Sequence, residues 1–242
     1  MKNTLKLSLI VAVLVIFSAC ERSICIKGNG ERDTRNIDVA DFTGVELDGS
    51  FDVVILQGNR FKVEAIGDEN ILESIHAREV GGVCKLDLNR GCYKDYKLTI
   101  EVTMPELTDV FLDGSGDFTI EDFNNINTLN LEISGSGSIE LYDLSGLQNI
   151  NSKIDGSGDI NFKRIIGGID NVKTIINGSG DYNGFGLQAD NVITRISGSG
   201  TSEVNASTTL NATIEGSGNI LYKGTPTISK SITGSGSLIN AN

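Results

Sequence analysis

The chain has 242 residues, a formal net charge of −12, 29 glycines, no tryptophan and 6% aromatic residues. No basic patch with interleaved aromatics is present to neutralise phosphates, which excludes nucleic acid as a partner. The balance points instead to a soluble, β-rich chain of one or two domains.

In chain order, Lys2 and Lys6 precede an apolar run over residues 7–17, which Ser18-Ala19-Cys20 closes. A charged segment, an apolar segment and a small-residue site make residues 1–19 a signal peptide, and the run is too short to span a bilayer as a mature helix. Phe17-Ser18-Ala19-Cys20 resembles a bacterial lipobox, with Phe17 where Leu is usual. The resemblance implies cleavage before Cys20 and acylation of its thiol and amine; the alternative is an ordinary secretory signal that leaves Cys20 a free thiol. Lipid on Cys20 would hold the protein at a membrane surface, which places it in the cell envelope, at the outer membrane, facing the periplasm or outward. Loss of Lys2 and Lys6 with no acid moves the charge from −12 to −14. Residues 20–36, with Lys27-Gly28-Asn29-Gly30, read as a flexible tether.

The remaining cysteines are Cys25, Cys84 and Cys92. Asn89 and Gly91 favour a reversal between the last two, so a Cys84–Cys92 disulfide is expected and Cys25 is left free. Spacing of the CxxC kind is absent, so no metal is expected.

Residues 37–107 read as a β-rich cap. Val45-Glu46-Leu47-Asp48-Gly49-Ser50-Phe51-Asp52-Val53 is one degenerate glycine corner, and Gln57-Gly58-Asn59-Arg60 separates two alternating runs as a hairpin would. Asp68 and the acids after it start a short helix reaching Ile75. Residues 85–89 and 97–103 are further strands, and Pro105 marks the passage out of the cap.

Residues 108–242 carry a repeat. Gly-Ser-Gly returns with its first glycine at Gly114, Gly135, Gly156, Gly178, Gly198, Gly216 and Gly234, 18 to 22 residues apart, a period that marks a solenoid. Two residues before each lies an aliphatic side chain: Leu112, Ile133, Ile154, Ile176, Ile196, Ile214 and Ile232. The positions four and six before, and four and six after, continue the same period-two inward face. Each repeat is therefore strand, corner, strand and a third side of variable length, and stacking the coils buries a face that one coil cannot bury alone. The expected fold is all-β, a right-handed parallel β-helix, protected at its open end by the cap.

Phe42-Thr43-Gly44-Val45-Glu46-Leu47-Asp48-Gly49-Ser50-Phe51-Asp52-Val53, the Gln57-Gly58 turn, Gly67-Asp68-Glu69-Asn70 and the later Gly-Ser-Gly-Asp corners together resemble the autotransporter adhesin head (GIN) domain family of bacterial surface proteins, common among Bacteroidetes lipoproteins. The resemblance spans roughly residues 40–240. It implies a pectin-lyase-like right-handed β-helix and a role in adhesion, and it brings no catalytic residues. The chain has no translocator barrel after the repeats, so self-export is not expected.

The corners also carry oxygen: Asp113, Asp117, Asp155, Asp159 and Asp181 flank them, with Ser134 and Ser138 interleaved. Stacked carboxylates repel, and a hard cation such as Ca²⁺ would relieve that. The simpler reading has these side chains bonding the backbone of their own turns. An enzyme would need a general acid and base. His76, the one histidine, reads as a surface or cap residue, and Asp155, Asp159, Asp181, Lys163 and Arg164 are the groups a polysaccharide lyase or hydrolase would draw on. The leading expectation is a lipid-anchored envelope protein, without cofactor, whose rigid β-helix surface binds a glycan or a surface protein. The alternatives are a carbohydrate-active β-helix enzyme and a purely structural envelope module.

Cys20→Ala is expected to abolish lipid attachment and leave the domain folded. Metabolic labelling with a fatty acid checks it, and unchanged labelling in the variant would rule the anchor out.

Overall fold

The computed structural model describes residues 25–242. The expected signal peptide, residues 1–19, and the expected lipidation site, Cys20, lie outside the described residues. Two long ladders of parallel strands form the two main faces of a β-helix. On the first, Val83–Leu88, Gly44–Gly49, Asp109–Gly114, Thr128–Gly135, Asn149–Gly156 and Ile169–Gly178 stack in that order. The C-terminal parts of Asp181–Gly198 and Thr201–Gly216, then Thr227–Gly234, continue it. On the second, Leu98–Met104, Asp52–Gln57, Asp117–Glu121, Ser138–Tyr142 and Asp159–Phe162 stack alongside. A third side is short: Leu144–Ser145 pairs in parallel with Ile165–Ile166. At the turn into it Asp122 and Asp143, one coil apart, take left-handed φ of 57° and 58°, a conformation Asp tolerates because its short polar side chain bonds locally.

The register is residue for residue. Gly49, Gly114, Gly135, Gly156, Gly178, Gly198, Gly216 and Gly234 form one column. At each corner the next coil presents amide hydrogens to the previous first-glycine carbonyl: Ser136 N–H donates to Gly114 O at 2.9 Å, while Ser179 and Gly180 N–H converge on Gly156 O at 2.8 and 3.2 Å. Gly135 has φ of +143°, and a Cβ there would run into the Gly114 carbonyl, as one on Gly137 would run into that of Gly116. Both glycines are therefore required, the first for its dihedral and both for backbone-to-backbone contact.

Inside, the predicted inward columns are buried. Leu112, Ile133, Ile154, Ile176, Ile196 and Ile214 are each at most 1% exposed. The column four before the corner turns polar in the middle coils, where Ser152, Thr174 and Thr194 are buried and the Tyr182 phenol packs among them. Outside, polar side chains continue the ladder: Asn151 Nδ2 donates to Asn130 Oδ1 and Asn130 Nδ2 to Asp109 Oδ1, both at 2.9 Å.

The N-terminal region differs from its expected layout in three ways. Residues 20–36 are not simply a tether, because Arg32–Ile37 pairs antiparallel with Lys62–Asp68, and Ile26–Lys27 pairs with Tyr93–Lys94. The runs flanking Gln57-Gly58 do not form a hairpin. Leu98–Met104 lies between them, parallel to Asp52–Gln57 and antiparallel to Lys62–Asp68, and the Gln57 side chain is spent on Pro105 O and the Asn124 backbone. The true hairpin is Ile75–Val80 with Val83–Leu88, closed by Gly81 and Gly82 at φ of 65° and 84°, the doubly positive turn that suits two-residue hairpins. The helix is one turn, Glu69–Leu72, and Asp68 precedes it without capping it by its side chain. These antiparallel strands cover the first coils, as a solenoid end requires.

Ile154→Ala is expected to cost about 2–5 kcal/mol by opening a cavity between two stacked coils. Ile232, 38% exposed in the last coil, should cost clearly less when changed to Ala. Urea denaturation of both variants checks this, and equal losses would contradict nearest-neighbour stacking.

Candidate binding cleft

The corner column is broken once. Val83–Leu88 and Leu98–Met104 stack beneath the first corner, with Asp48 opposite Asp87 and Asp52 opposite Thr99. Residues 89–97 therefore stand where the next coil has Ser50 alone. A tight corner cannot hold that many residues, so the segment bulges outward. Phe51, in the place of the second glycine, closes the core behind it at 2% exposure. The loop, the first corner and the cap strands enclose an open cleft of about 1870 Å³. This is larger than the roughly 300–1,000 Å³ of a small-molecule pocket.

The loop is held from outside by the chain's own beginning. Cys25 is disulfide-bonded to Cys92 across a separation of 67 residues. Ile26 N–H donates to Cys92 O at 2.7 Å, and a short parallel bridge sets Ile26 beside Tyr93 and Lys27 beside Lys94. Asp68, 6% exposed, joins the pieces: its carboxylate accepts from Gly30 N–H at 3.0 Å and Lys97 N–H at 2.8 Å. Asn70 adds bonds to Asn29 N–H and Lys27 O.

The expected Cys84–Cys92 bond is not formed, and Cys25 is not free. Cys84 lies on the inward face of its strand, opposite Val45, wholly buried with a free thiol. Burial pushes that thiol up to about 12, so it is inert at neutral pH.

In the cleft wall the Tyr93 and Tyr96 rings meet edge-to-face with centroids 6.0 Å apart, and Tyr93 OH donates to Asn89 O. Burial, then Tyr93 and Asp52, raises the Tyr96 phenol above its ordinary range. Partial burial and the neighbouring Asp117 push the Asp52 carboxyl up, against a lowering hydrogen bond from the Asp117 backbone. His76 is exposed on the same wall, with Nε2 2.6 Å from Asn89 Oδ1.

Residues 41–226 match the model of the family described as "putative auto-transporter adhesin, head GIN domain". The chain belongs to that family. Among solved structures, a "putative lipid binding protein" from Parabacteroides distasonis is 29% identical, with a TM-score of 0.74 over 90% of this chain and 99% of that one. A "putative adhesin" from Bacteroides fragilis is 24% identical, with a TM-score of 0.80 over 89% and 99%. Another from Parabacteroides merdae is 23% identical, with a TM-score of 0.70 over 90% and 99%. The last two are alike in fold. No curated protein matches the chain.

In this GIN domain Asp155, Asp159 and Asp181 lie along the helix, away from the cleft, while Asp113 and Asp117 stand one coil from the cleft-lining Asp48 and Asp52. Asp117, Asp159 and Asp181 bond across coils rather than within their own turns. Asp117 Oδ1 accepts from Ser138 N–H and Oγ–H, Asp159 Oδ1 from Asp181 N–H, and Asp181 Oδ1 from Thr201 N–H, all at 2.8–3.0 Å. Asp155 accepts from Lys153 and Asn177, which hold its carboxyl below the usual range. Asp113 is exposed, in register between Asp48 and Ser134. Among the described residues no three His, Cys, Asp or Glu side chains converge as metal ligands would. Lys163 and Arg164 are spent in surface pairs with Glu140 and Asp143. Sequence reasoning missed Tyr93, Tyr96 and the loop that carries them. The available signal was the replacement of one corner serine by a long segment rich in Tyr, Lys and Arg.

Replacing Asp113, Asp117, Asp155, Asp159 and Asp181 together by Asn should leave stability within about 1 kcal/mol of wild type, because an amide oxygen still accepts the inter-coil N–H and the exposed Lys153 pair contributes little. Thermal melts with and without Ca²⁺ should coincide for both proteins. The Asp155 contribution is present above the unfolded carboxylate pKa and lost as pH falls through its lowered folded value. The acid limb of wild-type stability should therefore flatten in the variant.

Proposed function

We propose that the protein is a lipid-anchored envelope component that binds an extended ligand in the cleft at its capped end, without transforming it. The observation that carries this reading is the break in the corner column. Along the rest of that edge the polar groups are spent on holding coil to coil, whereas residues 89–97 are built outward, strapped by Cys25–Cys92 and furnished with two tyrosines and several charges. A disulfide suits an oxidising compartment, and the lipobox-like Phe17-Ser18-Ala19-Cys20 suits a membrane anchor. Membership of an adhesin head family agrees with a binding role.

Asp52 raises the enzymatic alternative, since a carboxyl with a raised pKa in a cleft is a candidate acid. Its carboxylate neighbour is Asp117, one coil along the same column, about 4.8 Å away in backbone spacing and already bonded to Ser138. Hydrolysis needs a second carboxyl free to act beside the first, and Asp117 is committed to Ser138, which favours binding over hydrolysis.

A glycan and matrix-protein array with the Cys20→Ser chain tests the reading. Capture of a ligand by wild type is expected to be lost in Tyr93→Ala plus Tyr96→Ala and retained in the corner-acid variant. Equal capture by all three would place binding elsewhere. Cleavage products that vanish in Asp52→Asn would make the protein an enzyme.

A further inference from the structure

We infer that the ligand taken by the cleft is an anionic glycan, a saccharide chain bearing carboxylate or sulfate groups; this rests on the cleft being the binding site. The chain carries −12 overall, and along the helix its cations are largely matched: Lys85 with Glu46, Lys153 with Glu132 and Asp155, Arg195 with Glu215. The cleft departs from this pattern. Arg32, Arg90, Lys94 and Lys97 all line it, all are exposed, and none forms an ion pair among the described residues. Of the acids in the lining, Asp87 is paired with Arg78 and Asp95 with Lys27. Asp68 is buried and held by two backbone N–H groups, and Asp48 and Asp52 lie on the first-corner side, so the lining as a whole has one more cation than carboxylates, Lys27, Arg32, Arg78, Arg90, Lys94 and Lys97 against Asp48, Asp52, Asp68, Asp87 and Asp95. Four unpaired cations therefore stand on the loop and cap side of a concavity in an otherwise acidic molecule. Such a site draws anions to one place and repels them elsewhere.

Shape and lining narrow the class. The cleft has room for more than a single small molecule, and a concave wall suits an inserted chain better than a flat membrane. Apolar side chains reach it from beneath, Phe51 and Leu98 almost fully buried and Ile66 and Leu88 half-buried, so polar and charged groups make up most of the exposed lining. What it offers is hydrogen-bonding groups, guanidinium and ammonium groups, and the half-buried Tyr93 and Tyr96 rings. Rings with a polar tip and an apolar face match the alternating faces of a hydroxylated chain, and guanidinium groups match carboxylate or sulfate.

The test uses the full chain with Cys20→Ser and two probes with one backbone, polygalacturonate oligomers and the same oligomers fully methyl-esterified. The free acid should bind at least about tenfold more tightly than the ester and weaken as salt rises. Arg90→Gln with Lys94→Gln and Lys97→Gln should remove at least about tenfold of that affinity at unchanged melting temperature, Arg90→Gln alone a part of it, and Lys173→Gln on the outer face none. Equal binding of acid and ester would overturn the anionic assignment while leaving the cleft as a binding site. Failure of both probes to bind, with cleft-dependent capture of a neutral glycan or of a protein on the array, would overturn it too, whereas cleft-dependent capture of a sulfated glycan would support it. Tighter binding of single-stranded DNA, poly-glutamate or phosphatidylglycerol vesicles than of the oligomers would overturn the glycan assignment.

Discussion

The structure depends on one contact, the carbonyl oxygen of a corner glycine received by the amide hydrogens of the next corner. Ser136 on Gly114 and Ser179 with Gly180 on Gly156 are examples. That contact leaves no volume for a Cβ above the oxygen, so the glycines follow from it, and a column of glycines in turn forces residue-for-residue register. Register then aligns every inward aliphatic with its counterpart one coil away, and the core of Leu112, Ile133, Ile154 and Ile176 is the result. The hydrophobic burial is large, but it is the backbone contact at the corner that makes the burial specific.

The same contact explains where a ligand can be accommodated. An edge whose amides, carbonyls and carboxylates are consumed by the neighbouring coil has little left to offer a partner, as Asp117, Asp159 and Asp181 illustrate. Below Gly49 the column stops, and there the loop 89–97 is free to carry tyrosines and cations. Its order comes from elsewhere, from Asp68 and from the Cys25–Cys92 bond. Closing a separation of 67 residues is worth about 4 kcal/mol in the chain-entropy description.

Beyond Pro105 the fold was legible residue by residue, because period-two burial and an 18-to-22-residue spacing coincide and leave a single register. Before it, local signals competed. Gln57-Gly58-Asn59-Arg60 has the composition of a hairpin turn, yet Leu98–Met104 takes the adjoining place through a parallel pairing that no local pattern announces. The cysteines show the same limit. Alternation along Val83–Leu88 puts Cys84 on the side of buried Leu86, a reading that would have withdrawn it from any bond to an outward loop. The partner of Cys92 was not deducible, since it comes from a segment whose composition reads as tether. Of the candidate site, the corner acids were visible and their inter-coil bonding was not. The cleft itself was invisible because it is a gap in a repeat.

Because each coil touches only its neighbours and is joined to them in one register, whole coils are interchangeable units of length. Adding or deleting one would move the capped end by about 4.8 Å relative to the far end without altering any contact within the cap. The helix is thus a ruler as well as a scaffold: the reach of the molecule and the chemistry at its tip are set by different residues and can change independently.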